Sequence, residues 1–133
     1  MEQVETLKKK LESGAEIEVW LASFSEGHKL FKAVTKELQD VDLVQDTVQK
    51  LSLKLISSEA VESCLWPCML KAIYTGHGYE KKKISPEIFE KADIRRDFLE
   101  ISKEVMVYNL TPFSKNIGSL SSALFRKDTD ILQ

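Results

Sequence analysis

Apolar side chains recur along this chain at the three- and four-residue intervals that keep one face of a helix turned toward a partner. Ile17, Leu21, Phe24, His28, Phe31, Thr35 and Leu38 make the longest such stripe. The stripe predicts a helix over 15–39, which at about 1.5 Å per residue would be on the order of 36 Å long and would form the spine of the fold. Ahead of it, Val4, Leu7 and Leu11 give a short amphipathic helix that stops at Ser13-Gly14.

The same rhythm continues downstream. Asp42 with Gln45 three residues later has the form of a capping box, opening a helix whose inward row is Val44, Val48, Leu51 and Leu55. Ser57-Ser58 ends that helix and starts the next, where Glu59 and Glu62 complement the exposed amides of the first turn. Val61, Leu65, Cys68 and Ala72 form its buried row, and Pro67, which lacks an amide donor, predicts a kink. Thr75-Gly76-His77-Gly78 then breaks the helix into a loop running through Tyr79-Glu80-Lys81-Lys82-Lys83.

Ser85-Pro86-Glu87 reads as a helix start that bends or restarts at Asp93, with Ile94, Phe98, Ile101, Val105 and Tyr108 inward. Thr111-Pro112 opens a last, weak helix with Phe113, Ile117, Leu120 and Leu124 inward. None of these segments is read as a strand. The expected fold is therefore all-α, an antiparallel helical bundle with a four- to five-helix core and up to six helices counting the short N-terminal one. One domain over 1–133 is expected, with 128–133 as a frayed tail.

Composition narrows the function classes. The 133 residues suffice for one core, and 43% hydrophobic with 30% charged residues is ordinary for a globular chain. A net charge of −2 argues against indiscriminate binding to nucleic acid or anionic lipid. No apolar run approaches the roughly 20 residues needed to span a bilayer, and Met1-Glu2-Gln3-Val4-Glu5 leads into Lys8-Lys9-Lys10 without a secretory core. The expectation is a cytoplasmic protein with reduced thiols and no membrane association.

Two cysteines and two histidines supply the ligand types of a tetrahedral zinc site. Cys64 and Cys68 lie four apart on a proline-interrupted helix rather than in a short knuckle, so zinc held with His28 or His77 stands as the alternative to two small apolar side chains. Neither cofactor nor metal is expected. His28 interrupts an apolar stripe and is read as a core histidine bonded by a hydroxyl such as Thr35. Di-iron chemistry is excluded, since Ser25 and Tyr74 stand where Glu-x-x-His pairs require carboxylates.

Lys81, Lys82 and Lys83 are the candidate phosphate contacts. Positions 71–103 nevertheless hold eight basic against six acidic residues, so nucleic-acid binding is not favoured and an accessory role in a nucleoprotein assembly is only an alternative. Val19 and Leu30 share a second side of the predicted spine, and Trp66 lies beside the kink and off the main row. These three are the candidate partner-binding residues. The function read from the sequence is a small non-enzymatic interaction protein, an adaptor or accessory subunit that binds a protein partner or a second copy of itself.

Overall fold

The computed structural model describes residues 6–39 and 48–116. They build a mixed α and β fold in place of the expected all-α bundle. Strands β1 (Thr6–Lys10), β2 (Glu16–Trp20), β3 (Ala72–Gly76) and β4 (Tyr79–Lys83) form an antiparallel sheet in chain order. Helices α1 (Phe24–Glu37), α2 (Val48–Ser57) and α3 (Glu59–Met69) connect β2 to β3. After β4 come a 3-10 turn (Pro86–Glu90), the short α4 (Ala92–Arg95), α5 (Phe98–Leu110) and a second 3-10 segment (Thr111–Asn116).

The expected 15–39 helix divides at Leu21-Ala22-Ser23. Glu16-Ile17-Glu18-Val19-Trp20 alternates polar with β-branched or aromatic residues, and the pleat sends Ile17 and Val19 into the core with Glu16 and Glu18 outside. Helix begins only where Ser23 closes a capping box: its hydroxyl accepts from the Glu26 amide while Glu26 Oε1 accepts from the Ser23 amide. The stripe joins Ile17, inward by strand alternation, to a side of α1 that is only partly covered: the buried row of the helix is Gly27, Leu30, Val34 and Leu38, and of these only Leu38 belongs to the stripe. Phe24, the third member of the stripe, is 74% exposed.

The other departures have similar causes. The expected helix around Leu7 is β1, which pairs with β2 through a tight turn in which Leu11 N–H bonds Ala15 O at 2.7 Å and Gly14 adopts φ +96°. Gly76-His77-Gly78, expected to open a long loop, instead turns β3 into β4, so the lysine triplet is an edge strand. Ala72, assigned to a helical row, is buried in β3, since α3 ends two residues after Pro67. The Asp42–Gln45 capping box, Val44, Ile117, Leu120, Leu124 and 128–133 lie outside the described residues.

Other boundaries coincide with the reading. Ser58 caps α3 by accepting from the Val61 amide, Pro86 sits at the start of its turn, and the chain restarts between Ala92 and Phe98.

The sheet's inner face carries Leu7, Val19 and Ala72 in one cross-strand row and Lys9, Ile17 and Tyr74 in the next. Lys9 reaches Glu104 of α5 at 3.8 Å, and the Glu12 amide reaches Glu100 of the same helix, so the β1–β2 hairpin is tied to α5. Helices α1, α3 and α5 pack on one another, and α2 packs on α3 and α5. Val34, Leu51, Leu55, Val61, Ile101, Val105 and Met106 fill the shared core. Each such side chain withdrawn from water contributes about 1.5–3 kcal/mol.

Candidate functional site

Of the three candidate partner residues, only Trp66 faces outward in part. Val19 is fully buried between β1 and β3, and Leu30 is fully buried on α1, so both belong to the internal core. They look sticky in a helical wheel because the wheel assumes Val19 belongs to the same helix as Leu30.

Trp66 forms one wall of a shallow depression between α2, α3 and α5. Ile56 comes from α2, Glu62, Leu65, Trp66 and Met69 from α3, and Phe98 and Ser102 from α5. Its volume is about 10 Å³, roughly the room for a single water. Trp66 is held from behind by Phe89 and Phe98, with ring centroids at 6.2 and 6.3 Å, and those two meet edge to face at 5.0 Å. The wall is therefore rigid aromatic structure.

Two further observations concern this depression. Ser102 is fully buried and its Oγ has no hydrogen-bond partner among the described residues. Leu53, Leu70 and Leu99 are 46%, 45% and 48% exposed, and each lies one helical turn from a lining residue, respectively Ile56, Trp66 and Ser102. Three of the five large apolar side chains exposed among the described residues thus lie one helical turn from the lining, in which Glu62 is the only charged residue. These leucines could be found in the sequence as apolar residues outside the inward rows; Ser102 carried no such signal.

The other candidates disperse. Cys64 is half-buried and Cys68 fully buried, and both are free thiols. Burial, reinforced by the charge of Glu26, pushes the Cys68 thiol up to about 12, so it remains protonated and inert. His28 is half-buried and stacked with Phe24 (5.2 Å), Phe31 (6.4 Å) and Phe113 (6.0 Å), and the Thr35 hydroxyl expected to bond it has no partner among the described residues. Among the described residues no three His, Cys, Asp or Glu side chains gather where they could hold a metal ion, so the zinc alternative does not assemble. Lys81, Lys82 and Lys83 are all exposed, and where the φ of +52° at Lys81 interrupts the strand's alternation, Lys82 lies over the Tyr79 ring at 5.6 Å.

Sequence reasoning also missed a buried polar cluster. Asp97 Oδ2 accepts from Tyr74 Oη at 2.7 Å and from Ser13 Oγ at 2.9 Å, and His77 Nε2 lies 3.9 Å away with no hydrogen-bond partner among the described residues. His77 holds φ +51° between two glycines, stacks on Tyr74, and has its carbonyl gripped by Lys91 Nζ at 2.6 Å. The geometry is that of a latch joining two hairpin turns to the start of α5. It does not make a nucleophile: Ser13 directs its hydrogen to the carboxylate rather than to a base, and burial together with the Asp97 bond raises the Tyr74 phenol above its ordinary range.

Comparison of the chain with known protein families, curated proteins and solved structures finds no match. Among the described residues no helix is long and apolar enough to cross a membrane.

Proposed function

We propose that this protein works by protein–protein contact, receiving the apolar face of a partner's amphipathic helix across the Trp66 depression. The observation that carries the reading is an apolar depression walled by Trp66, with Leu53, Leu70 and Leu99 exposed one helical turn from its lining and the Ser102 hydroxyl unpartnered among the described residues. The depression lies far below the roughly 300–1,000 Å³ of small-molecule pockets, whereas a shallow apolar surface between helices, with exposed leucines one turn away, suits the face of an incoming helix. Glu62, as the lone lining charge, favours a partner whose apolar stripe is flanked by lysine or arginine. In this role the protein is a non-enzymatic adaptor or accessory subunit.

The test uses a synthetic Leu/Lys amphipathic helix of about 18 residues, five turns long. In a Trp20→Phe background, where Trp66 is the sole indole, the peptide should shift the emission to the blue with saturation. Leu99→Lys should weaken binding by at least about tenfold, the scale of a truncated contact hot spot. An unchanged Trp66 spectrum at saturating peptide, or equal binding by Leu99→Lys, overturns the proposal. Native mass spectrometry showing a homodimer that Leu99→Lys dissociates would assign the surface to a second copy and overturn it too.

A further inference from the structure

The two edges of the sheet differ in a way that singles out one of them. At the β4 edge the register shifts between Tyr74 and Gly76, Lys81 takes φ +52°, and the Lys81 amide turns back to Thr75 Oγ1 at 3.1 Å. Such a bulge spoils an edge as a template for another strand. The β1 edge has no bulge, and its protection is charge alone: Lys8 and Lys10 on the outer face and Lys9 on the inner. Its five residues pair with β2 in unbroken register from Thr6↔Trp20 to Lys10↔Glu16.

The phase of the hydrogen bonds shows which main-chain groups β1 leaves open. In an antiparallel pair, hydrogen-bonded and non-bonded residue pairs alternate. Leu11 N–H bonds Ala15 O, which makes positions 11, 9 and 7 the ones that bond to β2. Trp20 N–H points away to Lys71 O on the β3 side, which independently makes Thr6↔Trp20 a non-bonded pair. Thr6, Lys8 and Lys10 therefore turn their amides and carbonyls outward, and among the described residues no strand lies beyond them. By the pleat, their side chains also share the sheet's outer face.

Two features specify what would fit. Lys8 and Lys10 already face Glu18 and Glu16 of β2, and a strand pairing antiparallel to β1 would set residues directly opposite the same lysines on their other side, where carboxylates continue the alternation of charge and a second copy's own lysines are disfavoured. Between those positions its side chains fall on the inner face, where Leu7 ends the Leu7–Val19–Ala72 row half-buried. An apolar residue opposite Leu7 would extend that row by one strand.

We propose that β1 is a docking edge for an acidic extended segment of a partner protein, with acidic residues opposite Lys10 and Lys8 and an apolar residue opposite Leu7. The lysines act as a filter: they repel an identical strand and admit an acidic one. This surface is separate from the Trp66 depression, and its test is independent of that reading.

The probe is the capped peptide Glu-Thr-Glu-Val-Thr, followed by isothermal titration and by amide shifts in ¹⁵N-labelled protein. Binding is expected to perturb the amides of Thr6, Lys8 and Lys10 most. Lys8→Pro removes an outward amide while leaving the bonds made by Leu7 and Lys9 in place, which an edge strand tolerates. It should keep the wild-type melting temperature within a few degrees and lose about tenfold in affinity, from one lost main-chain bond together with the lost Lys8 charge. Lys8→Gln with Lys10→Gln should weaken binding and flatten its salt dependence. Methylating the peptide nitrogen of the second glutamate should abolish binding with the protein unaltered, which keeps the test decisive should Lys8→Pro misfold. Absence of binding up to about 1 mM peptide, equal affinity for the methylated peptide, or a wild-type dimer that Lys8→Pro converts to monomer would each overturn the proposal.

Discussion

Tyr74 donates its phenolic hydrogen across 2.7 Å to Asp97 Oδ2, the same oxygen that Ser13 reaches from the opposite hairpin. One buried carboxylate oxygen thus joins β3, the β1–β2 turn and the start of α5. Hydrogen bonds to a charged acceptor contribute about 1.5–3 kcal/mol, so Tyr74→Phe should lower unfolding free energy by that order. Urea denaturation with an unchanged slope measures it. Asp97→Asn should cost at least as much, since it weakens both bonds together.

Alkaline pH should destabilise the fold through two named groups. The unfolded phenol ionises near roughly 10 and the unfolded thiol near roughly 8.5. In the folded chain the Tyr74 phenol is raised, by burial and then by Asp97, and the Cys68 thiol is raised to about 12, by burial first. The unfolded chain therefore sheds these protons first, so stability falls as pH climbs through the ordinary thiol and phenol ranges. Melting temperatures from pH 8 to pH 11 check this, and Tyr74→Phe should flatten the upper part of the curve. Under native conditions iodoacetamide should label the half-buried Cys64 well before Cys68.

Gly76→Ala should be strongly destabilising. Its φ is +149°, and an added Cβ would stand 2.7 Å from the Ala15 Cβ on the facing strand. Strain and clash together predict a loss on the order of 2 kcal/mol or more. Gly14→Ala meets no atom within 4 Å at φ +96°, so only backbone strain acts there and a smaller loss is expected. Paired thermal melts rank the two.

Ser102→Ala should behave in the opposite sense. Its hydroxyl is buried without a partner among the described residues, so its removal relieves desolvation and should leave stability unchanged or raise it by up to about 1 kcal/mol. A loss above that amount would show that the hydroxyl has a bonding partner in the folded chain. The same substitution should weaken the amphipathic peptide if the hydroxyl bonds to it, so the two effects have contrary signs.

Caps and turns were the legible part of this fold. Ser58 before Glu59, Pro86 after Ser85, and the restart near Asp93, where α4 begins at Ala92, were readable because each acts through residues one to four positions away, whereas the second break ahead of Phe98 was not read. The sheet was not read, although Glu16-Ile17-Glu18-Val19 carries period-two alternation. Five-residue strands offer few periods, and here the inward residue of a strand falls in step with the next helix's stripe. Trp66 was legible as an aromatic off its helical row, whereas the Asp97 cluster, assembled from positions 13, 74, 77 and 97, depends on strand pairing that only the fold reveals.

The most direct measurement of the central claim is the indole N–H resonance of Trp66 in a ¹H–¹⁵N spectrum during titration with the Leu/Lys helix. The account predicts a saturable shift of that resonance together with the amides of Ile56, Leu99 and Ser102, while Trp20 stays still. Shifts confined to residues away from α2, α3 and α5, or no shift at saturation, would contradict it.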